Sequence, residues 1–215
     1  MGKIALVAGS TGLVGGHIVR QLCKHSSYDK IIALCRKQPA ADWINNKKVS
    51  VMIIDFDQLE HELANYKIDE VYCALGTTAK KTPSKAMYQK IDMEYPINLA
   101  KVGLTASASF YGLVSAIGAK EGSLSKYSHY KGAVESFLKQ SDYHQVAIAQ
   151  PSLLLGNRGE FRLGESLFSV VTPLMPKAVR SVQGADVAGA LIRAANSDST
   201  GVEILVNKNL HGQSF

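Results

Sequence analysis

The sequence predicts an α/β protein built on a doubly wound, mostly parallel sheet. Three observations lead there. Apolar runs of strand length alternate with stretches of helical periodicity along the chain, and such alternation calls for parallel strands with helices on both faces. The first run, Lys3 to Ala8, breaks into Gly9, Gly12 and Gly15, evenly spaced. Behind them Leu13, Ile18, Val19 and Leu22 recur at helical intervals, so the order is strand, glycine turn, helix.

That order suits an anion. A helix N-terminus leaves its first N–H groups unpaired and carries about half a positive charge. Glycine lets the chain turn sharply and a pyrophosphate approach without a Cβ in the way, while Ser10 and Thr11 can add hydroxyl donors. The expectation is a dinucleotide site. The spacing is GxxGxxG, and chance alone supplies it about 0.1 times in a chain with this much glycine, so its weight comes from standing between a strand and a helix.

The next elements extend that reading. A second strand, Ile31 to Cys35, ends in Arg36-Lys37, where an NAD-binding protein would present a carboxylate to the ribose. Two cations suit a 2′-phosphate, so NADP is expected over NAD; the alternative is a solvated charge pair. A third strand, Val49 to Ile54, ends in Asp55-Phe56-Asp57. Asp57 is read as the N-cap of a helix from Gln58 to Tyr66, Asp55 as a contact for adenine, and Phe56 as a cover for the base. A fourth strand, Val71 to Leu75, is followed by Gly76-Thr77-Thr78, small enough for a cofactor to cross.

Thr82-Pro83-Ser84 reads as a helix start with Pro in the first position. The helix runs through Ile91, Leu99 and Val102, interrupted near Pro96. A fifth strand, Ser109 to Val114, delivers Ser115 at its carboxyl end, the edge where ligands collect in such sheets. A loop from Gly118 to Ser125 precedes a helix from Lys126 to Lys139, and a sixth strand, Val146 to Ala149, closes in Gln150-Pro151. Beyond it come apolar Leu153 to Gly156, charged Asn157 to Glu165, a helix from Ala185 to Ala195 and a strand from Val202 to Val206. The whole, 1–215, is read as one domain: a core over 1–150 and a small substrate-side appendage over 151–215, with 152–183 lining the substrate pocket.

Composition narrows the function classes. The chain has 215 residues, 46% hydrophobic and 20% charged, with a formal charge of +6. The basic residues are scattered, and their densest group, Lys80, Lys81, Lys85 and Lys90, has only Tyr88 beside it, which argues against nucleic acid. No apolar stretch reaches the ~20 residues of a membrane span. The N-terminal apolar run is too short for a signal peptide, and Leu6 stands where myristoylation wants Ser or Thr. Cys23, Cys35 and Cys73 show no CxxC pairing and read as reduced thiols of a cytoplasmic protein. The histidines show no ligand spacing, so no metal site is expected.

One set of residues has the chemistry for catalysis: Ser115, Tyr127 and Lys131. Tyr127 and Lys131 are four apart on a predicted helix and share a face. A tyrosine acting as acid and base near neutrality needs roughly 4 kcal/mol of help, and a neighbouring ammonium has the right sign. Ser115 would hold the substrate carbonyl. A YxxxK pair arises by chance about 0.75 times in this composition; the serine on the preceding strand end is what gives it meaning. Tyr130 faces elsewhere and is assigned to packing.

Taken together, GSTGLVG, LCRK, CALGTT, LVSAIGA, YSHYK and QPSLLLG resemble the atypical short-chain dehydrogenase/reductase superfamily. CALGTT and GNRGEFRLGE are similar to the small oxidoreductases related to Tat-interacting protein. The resemblance implies a Rossmann fold binding NADP(H), with Gly9, Ser10, Thr11, Gly12, Leu13, Val14, Arg36, Asp55, Leu75, Gly76, Tyr127, Lys131 and Pro151 at the contact positions; Lys37, Phe56 and Thr77 join them from the strand-end reading. Gln150 replaces an Arg common in the family, and Asp92 stands where larger relatives use Asn in a proton relay. Arg158, Glu160, Arg162 and Glu165 match a signature of underived role. The leading expectation is an NADP-dependent oxidoreductase passing hydride between nicotinamide and a small carbonyl or alcohol. The alternative is a redox-sensing regulator without turnover, and a nucleotide-sugar epimerase or dehydratase ranks third. Homodimerisation is left open.

Overall fold

The computed structural model describes residues 2–78, 82–155 and 180–214. Seven strands form one sheet, β1 (Lys3–Ala8), β2 (Tyr28–Cys35), β3 (Val49–Ile53), β4 (Glu70–Cys73), β5 (Phe110–Val114), β6 (Gln145–Gln150) and β9 (Gly201–Val206), in the order β3-β2-β1-β4-β5-β6-β9. Every neighbouring pair is parallel. A separate two-stranded pair joins β7 (Leu154–Leu155) to β8 (Val182–Gln183). The strand order reverses between β1 and β4, and a sheet wound this way opens a crevice there, outside the carboxyl ends of its strands. The expected doubly wound fold is thus observed, with all seven strands of the sheet parallel.

Successive side chains of a strand point to opposite faces, and the two cores divide accordingly. Ala5, Val7, Ile31 and Ala33 face α1 (Leu13–Lys24) and α6 (Gly184–Ala195); Leu6, Ala8, Ile32 and Leu34 face α2 (Leu59–Leu63), α4 (Tyr95–Thr105) and α5 (Lys126–Lys139). Strands buried on both faces read as continuous apolar runs, which is why β1 and β2 were visible in the sequence.

Several expected boundaries shift, the helix expected from Gln58 to Tyr66 shortening to Leu59–Leu63 among them, and two of the changes have a local physical reason. Ser84, not Thr82, caps the helix α3 (Lys85–Gln89): its Oγ accepts from Met87 N–H at 3.1 Å, leaving Pro83 outside the helix. The interruption expected near Pro96 is a widened turn, not a break in the helix. The helix widens into a π-helical turn over Lys90–Glu94 and resumes as α4 with Pro96 in its first turn. A proline in an α-helix clashes with the carbonyl four residues back, here that of Asp92, and the wider turn relieves the conflict.

At the sheet's lower edge, buried Glu70 accepts hydrogen bonds from the hydroxyls of Tyr28 and Tyr72, both at 2.7 Å, and pairs with Lys3 Nζ at 2.6 Å. Each tyrosine gives its one proton to the carboxylate, and burial followed by the Glu70 charge pushes both phenols up. Nothing in the local sequence announced this cluster, since its members come from three strands.

Candidate functional site

The glycine turn closes as its residues demand. Gly9 has φ +78°, a left-handed conformation natural to glycine, and a Cβ there would stand 2.5 Å from Ala74 O. Gly12 N–H donates to Gly9 O at 2.8 Å and Gly16 N–H to Gly12 O at 2.9 Å. The first N–H groups of α1, those of Leu13 and Val14 among them, have no carbonyl inside the helix to bond.

Above this turn lies a cleft of about 1250 Å³, larger than the roughly 300–1,000 Å³ of pockets for compact ligands and suited to an extended one. It is walled by Gly9, Thr11 and Gly12, by Cys35 at the end of β2 and Arg36 after it, by Asp55, Phe56 and Asp57 after β3, and by Leu75, Gly76 and Thr77 after β4. Met87, Ile91 and Tyr95 form its far wall. A second cleft of about 1070 Å³ shares Thr11, Gly12 and Arg36 with the first and adds Ser10, Leu13, Arg20, Lys37 and Asp42.

Several expected contacts take other roles. Ser10 is fully buried; its hydroxyl donates to Leu34 O at 3.0 Å and lies 3.3 Å from Cys35 Sγ, because a buried hydroxyl satisfies itself on the nearest carbonyl. That removes it as a hydroxyl donor to an anion and leaves exposed Thr11. Val14 packs its side chain into the core, so only its backbone can face the cleft. The capping assignment of the two aspartates is reversed: Asp55 Oδ1 accepts from Asp57 N–H at 3.0 Å, capping the 3-10 turn Phe56–Gln58. Asp57 instead pairs with Lys90 Nζ at 2.8 Å, and that ammonium holds its carboxyl below the usual range. Asp55 lines the cleft all the same. Phe56 is packed 5.4 Å from Tyr95, ring to ring.

At the other end of the cleft, Lys131 is 3% exposed and Asp92 fully buried. Lys131 Nζ donates to Leu75 O at 2.9 Å and lies 3.5 Å from Asp92 Oδ1; Asp92 Oδ2 accepts Thr77 N–H at 2.9 Å. A Cβ on Gly76 would come within 3.3 Å of that ammonium, so the bare backbone after β4 lies directly over the pair. Tyr127, on the first turn of α5, is 38% exposed. Tyr130 packs edge-on against Tyr88 at 5.4 Å, as expected of a packing residue.

Ser115 stands just after β5, and its hydroxyl is bonded to Glu135, not to Lys131. Its Oγ donates to Glu135 Oε1 at 2.5 Å, and the same buried carboxylate receives Gln150 Nε2 at 2.9 and 3.0 Å and Lys139 Nζ at 3.2 Å. Among the described residues no hydrogen bond joins Ser115, Tyr127 and Lys131 to one another. Ser115, Tyr127, Lys131 and Pro151 all lie outside the lining of both clefts; Pro151 is buried after β6, its carbonyl accepting Ile117 N–H at 2.9 Å. Glu135 was missed in the sequence, though its place four residues from both Lys131 and Lys139 on one helix was a visible signal. Arg158, Glu160, Arg162 and Glu165 lie outside the described residues.

Comparison with known proteins decides the family. Residues 9–198 match a family described as NAD(P)H-binding. The chain belongs to it. This NAD(P)H-binding protein is 24% identical over 211 residues to the protein HTATIP2 of Rattus norvegicus, covering 96% of this chain and 87% of the relative. It is 30% identical over 170 residues to the mitochondrial protein FMP52 of Kluyveromyces lactis, covering 78% and 75%. Among solved structures, the ADP-L-glycero-D-manno-heptose-6-epimerase of Helicobacter pylori superposes with a TM-score of 0.73 at 16% identity, over 95% of this chain and 77% of that one; this likeness is one of fold. The resemblance to the atypical short-chain dehydrogenase/reductases therefore holds.

One expectation is overturned. The cytoplasmic assignment drawn from the cysteines does not stand beside relatives named as mitochondrial. Cys23, Cys35 and Cys73 are free thiols, and burial pushes the Cys35 and Cys73 thiols up; neither property names a compartment. Among the described residues no helix is long and apolar enough to cross a membrane. The residues fit a dinucleotide: a side-chain-free turn at Gly9, N–H groups at the start of α1 that have no partner within the helix, bare backbone at Gly76, and a cleft lined by both glycines.

Proposed function

We propose that the protein is an NADP-dependent oxidoreductase acting on a small carbonyl or alcohol, its single domain spanning 1–215 with the substrate side drawn from 151–215. One observation carries the reading: the cleft runs from exposed Arg36 to the bare strand end at Gly76, beneath which Lys131 is fixed. The N–H groups at the start of α1 take the diphosphate, Arg36 and Lys37 take the 2′-phosphate, and Asp55 with Phe56 takes the adenine. Leu75, Gly76 and Thr77 provide a flat passage toward the nicotinamide end. When bound, the cofactor supplies or receives the hydride.

The remaining chemistry belongs to the chain. Tyr127, one helical turn from the Lys131 ammonium, passes a proton to or from the substrate oxygen. Asp92 and Leu75 O keep that ammonium in place. Ser115 has given its one proton to Glu135 and lines neither cleft, so in this arrangement it has no donor to offer a carbonyl oxygen. The same commitment of Ser115 favours a second reading, a nucleotide-sensing regulator without turnover.

Calorimetric titration with NADPH and NADH, followed by a carbonyl and alcohol panel on the wild type and Tyr127→Phe, tests both. The enzyme reading expects turnover that falls by about 10²- to 10⁴-fold in the variant, with NADPH affinity kept. NADPH binding with no turnover across the panel overturns it in favour of the sensor, and no heat with either nucleotide removes both.

A further inference from the structure

We infer that Arg20, on the outer side of α1, is a third cation of the subsite for the cofactor's 2′-phosphate, acting with Arg36 and Lys37. The inference rests on the NADP reading above and adds a specificity-determining residue to it. Its ground is the second cleft, which opens from the first through shared Thr11, Gly12 and Arg36 and is lined by Arg20 and Lys37 beyond them. A ribose lying at Arg36 would thus have one cleft for its adenine and the other for its 2′ substituent.

The geometry of Arg20 makes it ready for an anion. Its Nε and Nη2 edge is occupied by Asp42, with Nε at 3.0 and 2.8 Å from the two carboxylate oxygens and Nη2 at 2.7 Å from Oδ1. A guanidinium has five donors in a rigid fork, so the hold on one edge fixes the direction of the other. The opposite nitrogen, Nη1, lies over Gly16, where a Cβ would come within 3.1 Å of it. Gly16 thereby leaves room for the guanidinium against α1, and both residues line the second cleft.

The charges are complementary. Arg20, Arg36 and Lys37 against Asp42 leave two positive charges on this wall, and a phosphate monoester carries about −1.5 to −2 at neutral pH. His17 lines the same cleft; burial first, and then the Arg20 charge, lower its pKa, so it is neutral at pH 7 and adds nothing to the balance. Trp43, which also lines this cleft, is buried in the core, which leaves charge and hydrogen bonds as the means of recognition.

The test is calorimetric titration of wild type, Arg20→Ala and Arg20→Lys with NADPH, NADH and 2′-AMP. Arg20→Ala is expected to weaken NADPH and 2′-AMP by about 10- to 100-fold while NADH changes less than twofold. Arg20→Lys, which keeps the charge and loses the fork, recovers only part of the difference. A wild type that prefers NADPH combined with an Arg20→Ala that keeps the full preference overturns the inference and leaves Arg20 as a fastener for the Asp42 loop. A wild type that binds the two nucleotides alike overturns the NADP reading itself.

Discussion

Asp92→Asn tests the buried pair at the heart of the site. The substitution keeps the size of the side chain and an oxygen for Thr77 N–H, and it removes the charge. At 3.5 Å and an effective dielectric constant of about 20, the attraction lost is about 5 kcal/mol. Breaking a buried pair from one side costs about 3–5 kcal/mol in practice, because the surviving ion is left without its counter-charge. For a chain of this size the midpoint of thermal unfolding should fall by roughly 10 °C. The single tryptophan, Trp43, is buried in the core beside α1, and its fluorescence during urea unfolding reports the global transition. Replacing Lys131 with Met as well removes the stranded ammonium, and the double variant should recover about half of the loss. A single variant within about 1 kcal/mol of wild type, or a double variant worse than the sum of its parts, would refute the reasoning.

Further outcomes follow from other residues. Gly9→Ala forces a left-handed alanine against Ala74 O and should cost at least about 2 kcal/mol of stability, with NADPH affinity falling more than tenfold on the same samples by calorimetry. Gln150→Leu removes both amide contacts to the Glu135 carboxylate and should cost about 2 kcal/mol in urea unfolding. His17 is held below its ordinary pKa by burial and by Arg20, so the unfolded chain takes up a proton on this residue first. Its contribution is present above pH 6.5 and is lost as the pH falls toward its lowered value in the fold; a His17→Gln variant should show a flatter decline between pH 6.5 and 5 in unfolding midpoints.

The features legible in the sequence were those with local causes. Lys126–Lys139 is the helix expected, end to end, because the glycine-containing loop before it and the apolar spacing within it are both local signals. The turn at Gly9 and the placing of Ser115 after β5 were equally visible. What escaped reading depends on partners far along the chain. Ser10 looked like an anion donor until Leu34 O came within its reach, and Asp57 looked like a cap until Lys90 arrived from another helix. Glu135 is a charged residue on an amphipathic helix like many others; only β5 and β6 together, bringing Ser115 and Gln150, make it the centre of a polar cluster.

The π-helical turn at Lys90–Glu94 has the effect of one extra residue spliced into an otherwise regular helix, which rotates everything after it by about 100° relative to what came before. Before the splice, Tyr88 is aligned to meet Tyr130 of α5; after it, Leu99 is aligned to enter the core under the sheet. Removing a single residue from this turn would put the two halves out of phase, so that only one of them could keep its seat. A helix corrected in this way can tolerate substitution along its length far more readily than any change in its count of residues.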